Sequence, residues 1–191
     1  MNDFVKLFVE IEDFFNERTR DFIESVQHDG INWTKYELQE DILNQYYYRI
    51  RVLFIEYDPD LFSLLCSNDG EYRRVSLKLI KDGLLDLSLS DSFIEKLIDI
   101  SMAGNDEEKK LARNILFSRG WVLGRENLVN KVIGNFYRGG LDYYLYKDIG
   151  EFLYNMKNEN LLNKHIDLGM HSQDEDIIEF ADELKIKLNG K

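Results

Sequence analysis

The chain has 191 residues, 44% apolar and 13% aromatic, which is enough to build a packed core. Its formal charge of −12 opposes binding to nucleic acid, because phosphates attract Lys and Arg, and it favours basic partners. No apolar run approaches the roughly 20 residues that a membrane-spanning helix needs, so we expect no membrane association. The lone Cys66 cannot form an internal disulfide and the N-terminal residues lack a basic leader, so we expect a cytoplasmic protein.

The first half of the chain shows the spacing of long amphipathic helices. A first helix is predicted over residues 3–27, with Phe and Ile side chains on one narrow face. A second is predicted to start at Thr34, whose spacing to Glu37 matches a capping box, and to end before Pro59. Pro59 is expected at the first position of a short third helix that ends near Cys66, a small buried residue.

Farther along, Gly, Asn and Asp recur every 12 to 20 residues and predict short helices with turns between them. Residues 84–89 alternate partly between apolar and polar types, a pattern that predicts a short extended connector. The predicted helices are 71–82, 91–103, 106–118, 125–137, 141–156, 159–170 and 174–188.

Two eleven-residue segments are copies of one repeat unit. Residues 98–108 and 166–176 align at an offset of 68 with five identities, including Met102 over Met170. Each segment leads into a predicted helix that has a small residue near its middle. Two other predicted helices show the same feature more weakly, which gives four such positions. These are Ser76, Ala112, Gly150 and Ala181. A period of 31 to 38 residues with this arrangement resembles HEAT-type repeats.

The resemblance implies an all-α fold, an α-α superhelix of stacked antiparallel helical hairpins. We expect a single helical domain over 1–191, with an N-terminal helical pair at 1–58 and HEAT-like repeats at 59–191. The alternative is an irregular helical bundle in which the two similar segments arise by chance.

Common catalytic and cofactor motifs are missing from the sequence, including the phosphate-binding glycine loop and paired metal-ligand motifs. His165 and His171 are six residues apart, which places their rings on opposite sides of a helix. We therefore expect a non-enzymatic protein without metal or cofactor. The basic residues Arg73, Arg74, Lys78 and Lys81 are interpreted as a solvated helix face.

Acidic residues form two candidate partner-binding surfaces. On the first helix they recur at spacings of 3, 4, 4 and 3 and define the α1 stripe: Glu10, Asp13, Glu17, Asp21 and Glu24. The last helix carries Asp176, Glu179 and Glu183, and the sequence also places Tyr143 and Tyr144 as candidate contacts. Alternatively, these acids only keep the protein dissolved, and the tyrosines only close gaps between helices.

Charge is unevenly distributed along the chain. Residues 1–60 hold 14 acids and 6 bases, residues 61–140 hold 11 and 12, and residues 141–191 hold 11 and 6. Such acidic HEAT-like proteins resemble immunity proteins of bacterial toxin systems, in which an inhibitor covers a basic, nuclease-like toxin. The resemblance implies a basic protein partner held by electrostatic steering and steric blockade. The alternative is a non-enzymatic α-solenoid scaffold or adaptor.

Overall fold

A computed structural model describes residues 2–82 and 89–190, and these form helices with no strand among them. The all-α class is confirmed, with neighbouring helices packed in pairs as in a helical repeat fold. No helix in these ranges has the length and apolar character needed to cross a membrane. The helices are α1 (Asn2–Asp29), α2 (Trp33–Tyr57), α3 (Leu61–Leu65), α4 (Gly70–Asp82), α5 (Asp91–Ala103), α6 (Asp106–Ser118), α7 (Glu126–Gly139), α8 (Tyr143–Met156), α9 (Glu159–Met170) and α10 (Glu175–Asn189).

The chain forms two compact units, one containing α1–α4 and the other α5–α10. In the first unit α1 packs on α2 and also on α4, and α3 packs on α4. Gly30, with a positive φ of 74°, makes the turn between α1 and α2. The ring of Phe15 stacks on that of Tyr46 with centroids 4.5 Å apart, which joins the two helices.

In the second unit α5 packs on α6 and α9 packs on α10, while α8 contacts α5, α9 and α10. Close approach of α8 to α10 depends on Gly150. A Cβ there would lie 2.7 Å from Cδ1 of Leu184, closer than carbon atoms can pack. All four small residues of the predicted repeat are buried, and Ser76 also donates a hydrogen bond of 2.9 Å to the Leu61 carbonyl.

Both segments of the predicted repeat span a turn between paired helices. The first joins α5 to α6, with Asn105 forming a capping box with Glu108. The second joins α9 to α10, with Asp174 as the N-cap. Two residues separate the helices in the first turn and four in the second. The N-cap of the second copy is therefore shifted by one position relative to the first. Burial also differs, since Met102 is buried whereas the aligned Met170 is 37% exposed.

Most predicted helix bounds agree with the structure to within two residues, but α2 and α3 have other N-cap residues than predicted. Asn32, not Thr34, caps α2, because its side-chain oxygen accepts from the Lys35 N–H at 2.9 Å. Pro59 lies before α3, because Asp60 is the cap and accepts from the N–H groups of Phe62 and Ser63.

Cys66 is the C-cap of α3 and is exposed, so the prediction of a buried Cys66 is wrong, whereas Leu64 and Leu65 before it are buried. The expected connector at 84–89 lies outside the described residues except for Leu89.

Candidate functional site

The α1 stripe is on the surface. All five of its carboxylate side chains are exposed, and the apolar face on the other side of α1 is buried or half-buried. Lys6 lies 3.9 Å from Glu10, at the limit of an ion pair, and both side chains are mostly exposed, so this contact contributes little. The stripe therefore presents concentrated negative charge along one face of α1.

Three of the predicted acids on α10 meet a predicted tyrosine of α8. Together they line a surface depression of about 300 Å³, the α8–α10 hollow, formed by Tyr143, Asp176, Glu179, Phe180 and Glu183. The three acids occur at positions i, i+3 and i+7, which places them on one side of α10. Three carboxylates and two aromatic rings thus border one space.

Aromatic contacts fix one wall of the α8–α10 hollow. Tyr143 packs edge-on against Phe180, with ring centroids 6.4 Å apart and planes at 85°. Tyr144 packs edge-on against Tyr143 at 5.4 Å and is 75% exposed. Tyr144 therefore lies beside the hollow rather than in its lining, and four of the five predicted second-unit residues converge.

A buried polar network holds α8 against α9 beneath this surface. The Tyr146 hydroxyl donates to the His165 carbonyl at 3.0 Å, and His165 Nε2 lies 3.0 Å from the Tyr146 carbonyl. Because a carbonyl can only accept, Nε2 carries the proton, and Nδ1 accepts from the Tyr137 hydroxyl at 2.8 Å. Burial raises the pKa of Tyr137 and Tyr146, so both hydroxyls remain donors.

The arrangement of the α8–α10 hollow suits recognition of a cation. Carboxylates attract Lys or Arg, and aromatic faces add favourable cation–π contact. Lys187 lies 3.7 Å from Glu183, but both side chains are more than half exposed, so a partner can compete with this surface pair. Asp176 and Glu175 are in the first turn of α10, where the helix dipole also stabilises acids.

The first unit contains an ion cluster that the sequence patterns did not predict. Glu12, only 5% exposed, binds Arg74 at 2.5 Å and also Lys78, which joins α1 to α4. Hydrogen bonds to Glu71 and Glu12 raise the pKa of Arg74. The interpretation of this basic run as a solvated face was therefore wrong for Arg74 and Lys78, whose side chains are mostly buried. The position of Glu12 at the edge of the Phe/Ile face was the available signal.

A second missed cluster joins α6 to α8 in the other unit. Arg113 binds Asp148 at 2.7 Å and Glu151 at 3.2 Å, and Lys109 binds Asp148 at 2.5 Å. These residues border a depression of about 540 Å³ that also includes Lys110. Positive and negative charges are matched within it, so it offers no net charge to a partner. The paired spacing of Lys109 with Arg113, and of Asp148 with Glu151, was the sequence signal.

The two histidines that the sequence placed six residues apart have different environments. His165 is fully buried, whereas His171 is exposed, with its Nδ1 2.7 Å from the Asp167 carbonyl.

Within residues 2–82 and 89–190, no group of three or more His, Cys, Asp or Glu side chains is arranged to hold a metal ion.

Comparisons of the chain with protein-family models, with curated proteins and with solved structures found no match.

Proposed function

We propose that this chain is a binding protein, not an enzyme, that captures a basic protein partner through acidic and aromatic surfaces. The observation that carries the proposal is the α8–α10 hollow, where Tyr143 meets Asp176, Glu179 and Glu183. Aromatic residues are enriched in protein interfaces, and an acidic rim selects cationic side chains.

The most concrete form of the proposal is an immunity protein that covers a basic, nuclease-like toxin and blocks its active surface. It rests on the HEAT-like resemblance, the net charge of −12 and the convergence of acids on an aromatic wall. Lys or Arg side chains of the toxin would enter the hollow, since phosphate-binding surfaces are rich in these residues. The α1 stripe would add long-range attraction that speeds encounter.

Co-expression tests this proposal directly. The chain and the product of a neighbouring gene are expressed together in a host that the product alone poisons. We expect the wild-type chain to restore growth and the Glu179→Lys/Glu183→Lys variant to fail. The matched control is Glu159→Lys/Asp167→Lys, which makes the same charge change at exposed positions of α9 outside the hollow. If the α10 double variant and the α9 control protect the host equally, the α8–α10 hollow does not bind the toxin.

The second candidate is a scaffold or adaptor, which exposed apolar side chains on α2 favour. Tyr48 and Ile55 are 71% and 78% exposed there. A partner held mainly by apolar contact would bind nearly as well at 300 mM salt as at 50 mM, because screening weakens only charge attraction. Capture that drops sharply between these concentrations supports the inhibitor, and capture that does not supports the adaptor.

A further inference from the structure

Helix α2 has two apolar faces. Its core face, made by Ile42, Tyr46, Ile50 and Leu53, is buried. A second face consists of Tyr48, Val52 and Ile55, spaced by four and three residues, and these are 71%, 42% and 78% exposed. Isolated exposed apolar residues are common, but three in register on one helix are typical of an interaction surface.

This second face borders a groove between α1 and α2. The α1–α2 groove has a volume of about 410 Å³ and is lined by Leu7, Glu10, Ile11, Tyr48, Arg49, Val52, Leu53 and Glu56. Leu7 and Ile11 lie one turn apart on α1, and Tyr48 and Val52 lie one turn apart on α2. Each wall therefore presents two side chains one helical turn apart, the spacing at which an amphipathic helix presents its apolar residues.

Charges at the groove favour a basic occupant. Glu10 lines the α1 side and is the first member of the α1 stripe, and Glu56 lines the α2 side. The Arg49 guanidinium lies over the Phe14 ring at 4.6 Å, a cation–π contact that directs it toward α1. Residues 1–60 hold 14 acids against 6 bases, so a second copy of the chain would bring like charges together.

We propose that the α1–α2 groove binds an amphipathic α-helix of the basic partner. Apolar side chains of that helix lie between the walls formed by Leu7 and Ile11 on one side and Tyr48 and Val52 on the other. Its Lys and Arg side chains lie next to Glu10 and Glu56. This inference rests on the proposed function, because it takes the partner to be basic.

A fluorescein-labelled, 18-residue peptide of Leu and Lys in an amphipathic helical pattern is a suitable probe. Fluorescence anisotropy gives its Kd for the wild-type chain and for two variants, Tyr48→Ala and Val52→Glu. We expect at least a tenfold increase in Kd for Val52→Glu and a smaller increase for Tyr48→Ala. The matched control is Ile186→Glu, which adds the same charge at an apolar position of α10 that is 64% exposed, and it should leave Kd unchanged. Circular dichroism establishes that each variant is folded.

Three results would contradict the proposal that the α1–α2 groove binds a helix of the partner. One is equal affinity for a peptide of the same composition with its Leu residues spread around the helix. Another is an unchanged Kd in both groove variants. The third is a concentration-dependent dimer in sedimentation that Val52→Glu abolishes, since a second copy would then occupy the face. The peptide experiment and the co-expression experiment can fail independently. If the groove binds no peptide, growth protection that depends on Glu179 and Glu183 would still support the proposed function.

Discussion

Glu12 and Arg74 form an ion pair of 2.5 Å that joins α1 to α4, whereas Asp13, the next residue, is exposed in the α1 stripe. Consecutive helical residues point about 100° apart, so one acid lies at the edge of the core and the other in solvent. The same residue class thus has a structural role at position 12 and a candidate binding role at position 13.

Replacing Glu12 tests its structural role, and replacing Asp13 provides the comparison. Glu12→Gln leaves Arg74 and Lys78 facing each other without their shared countercharge. We expect the free energy of unfolding to fall by about 2–3 kcal/mol, measured by urea denaturation, because removing one partner of a buried ion pair is strongly destabilising. Asp13→Asn is the control and should change stability by no more than about 0.5 kcal/mol. Equal losses in the two variants would contradict the structural role of Glu12.

Gly169 lies where α9 packs closely against α8 and α10. A Cβ at this position would overlap the Tyr146 hydroxyl and lie 2.9 Å from Cβ of Ala181. Since Tyr146 is buried and hydrogen-bonded, it cannot move without cost. Gly169→Ala should lower the free energy of unfolding by about 3 kcal/mol, seen as a lower thermal midpoint.

Gly134, in the interior of α7, provides the control for that substitution. A Cβ there meets nothing within 4 Å. Gly134→Ala should therefore stabilise the protein by about 0.5–1 kcal/mol through helix propensity. Destabilisation by both substitutions would show that glycine itself, rather than the close approach at Gly169, is required.

The buried His165 predicts a loss of stability in acid. Burial lowers its pKa to about 4, whereas an unfolded histidine has a pKa near 6.5. Between these values the unfolded chain binds the proton and the folded chain does not, so stability falls as the pH is lowered from about 6.5 to about 4. The contribution of His165 to this loss is roughly 3 kcal/mol.

Chemical denaturation across that pH range measures the effect. His165→Asn should be less stable at pH 7, because it disturbs the bonds to Tyr137 and Tyr146, but its stability should depend less on pH. His171→Asn alters an exposed ring and should keep the wild-type slope. If His165→Asn keeps the full slope, other groups cause the acid sensitivity.

Charge reversal in the α1 stripe tests its steering role. Glu17→Lys/Asp21→Lys should slow association with the purified partner severalfold at 50 mM salt, measured by stopped-flow fluorescence, and the difference should vanish near 500 mM. Glu159→Lys/Asp167→Lys carries the same change in net charge and is the comparison. An unchanged rate at low salt would remove the stripe from the binding model, and equal slowing by the comparison would assign the effect to net charge.

Local sequence signals were sufficient for most of the helices. Three of the predicted ranges, 91–103, 106–118 and 159–170, match α5, α6 and α9 in full. Capping side chains and turn residues form their hydrogen bonds within four or five residues in the sequence. The helix ends that they set can therefore be predicted without knowledge of the fold. Errors at Thr34 and Pro59 arose where a neighbouring Asn or Asp was the better cap.

Only part of the candidate site could be predicted from the sequence. Exposure of the α1 stripe follows from its position opposite an apolar face, a property of one helix. Convergence of Tyr143 with the α10 acids joins residues more than 30 positions apart, and it depends on α8 approaching α10 at Gly150. No periodicity within one helix carries that information.

The all-α class, most helix bounds and the acidic outer face of α1 can be predicted from the sequence, because they follow from residue spacing and caps along a few turns. Which charged residues form partly buried ion pairs, as Glu12 does with Arg74 and Arg113 with Asp148, depends on the tertiary structure. The same is true of Met102, which is buried, and Met170, which is exposed. Burial depends on which helices meet and at what distance, and those contacts link positions far apart in the chain.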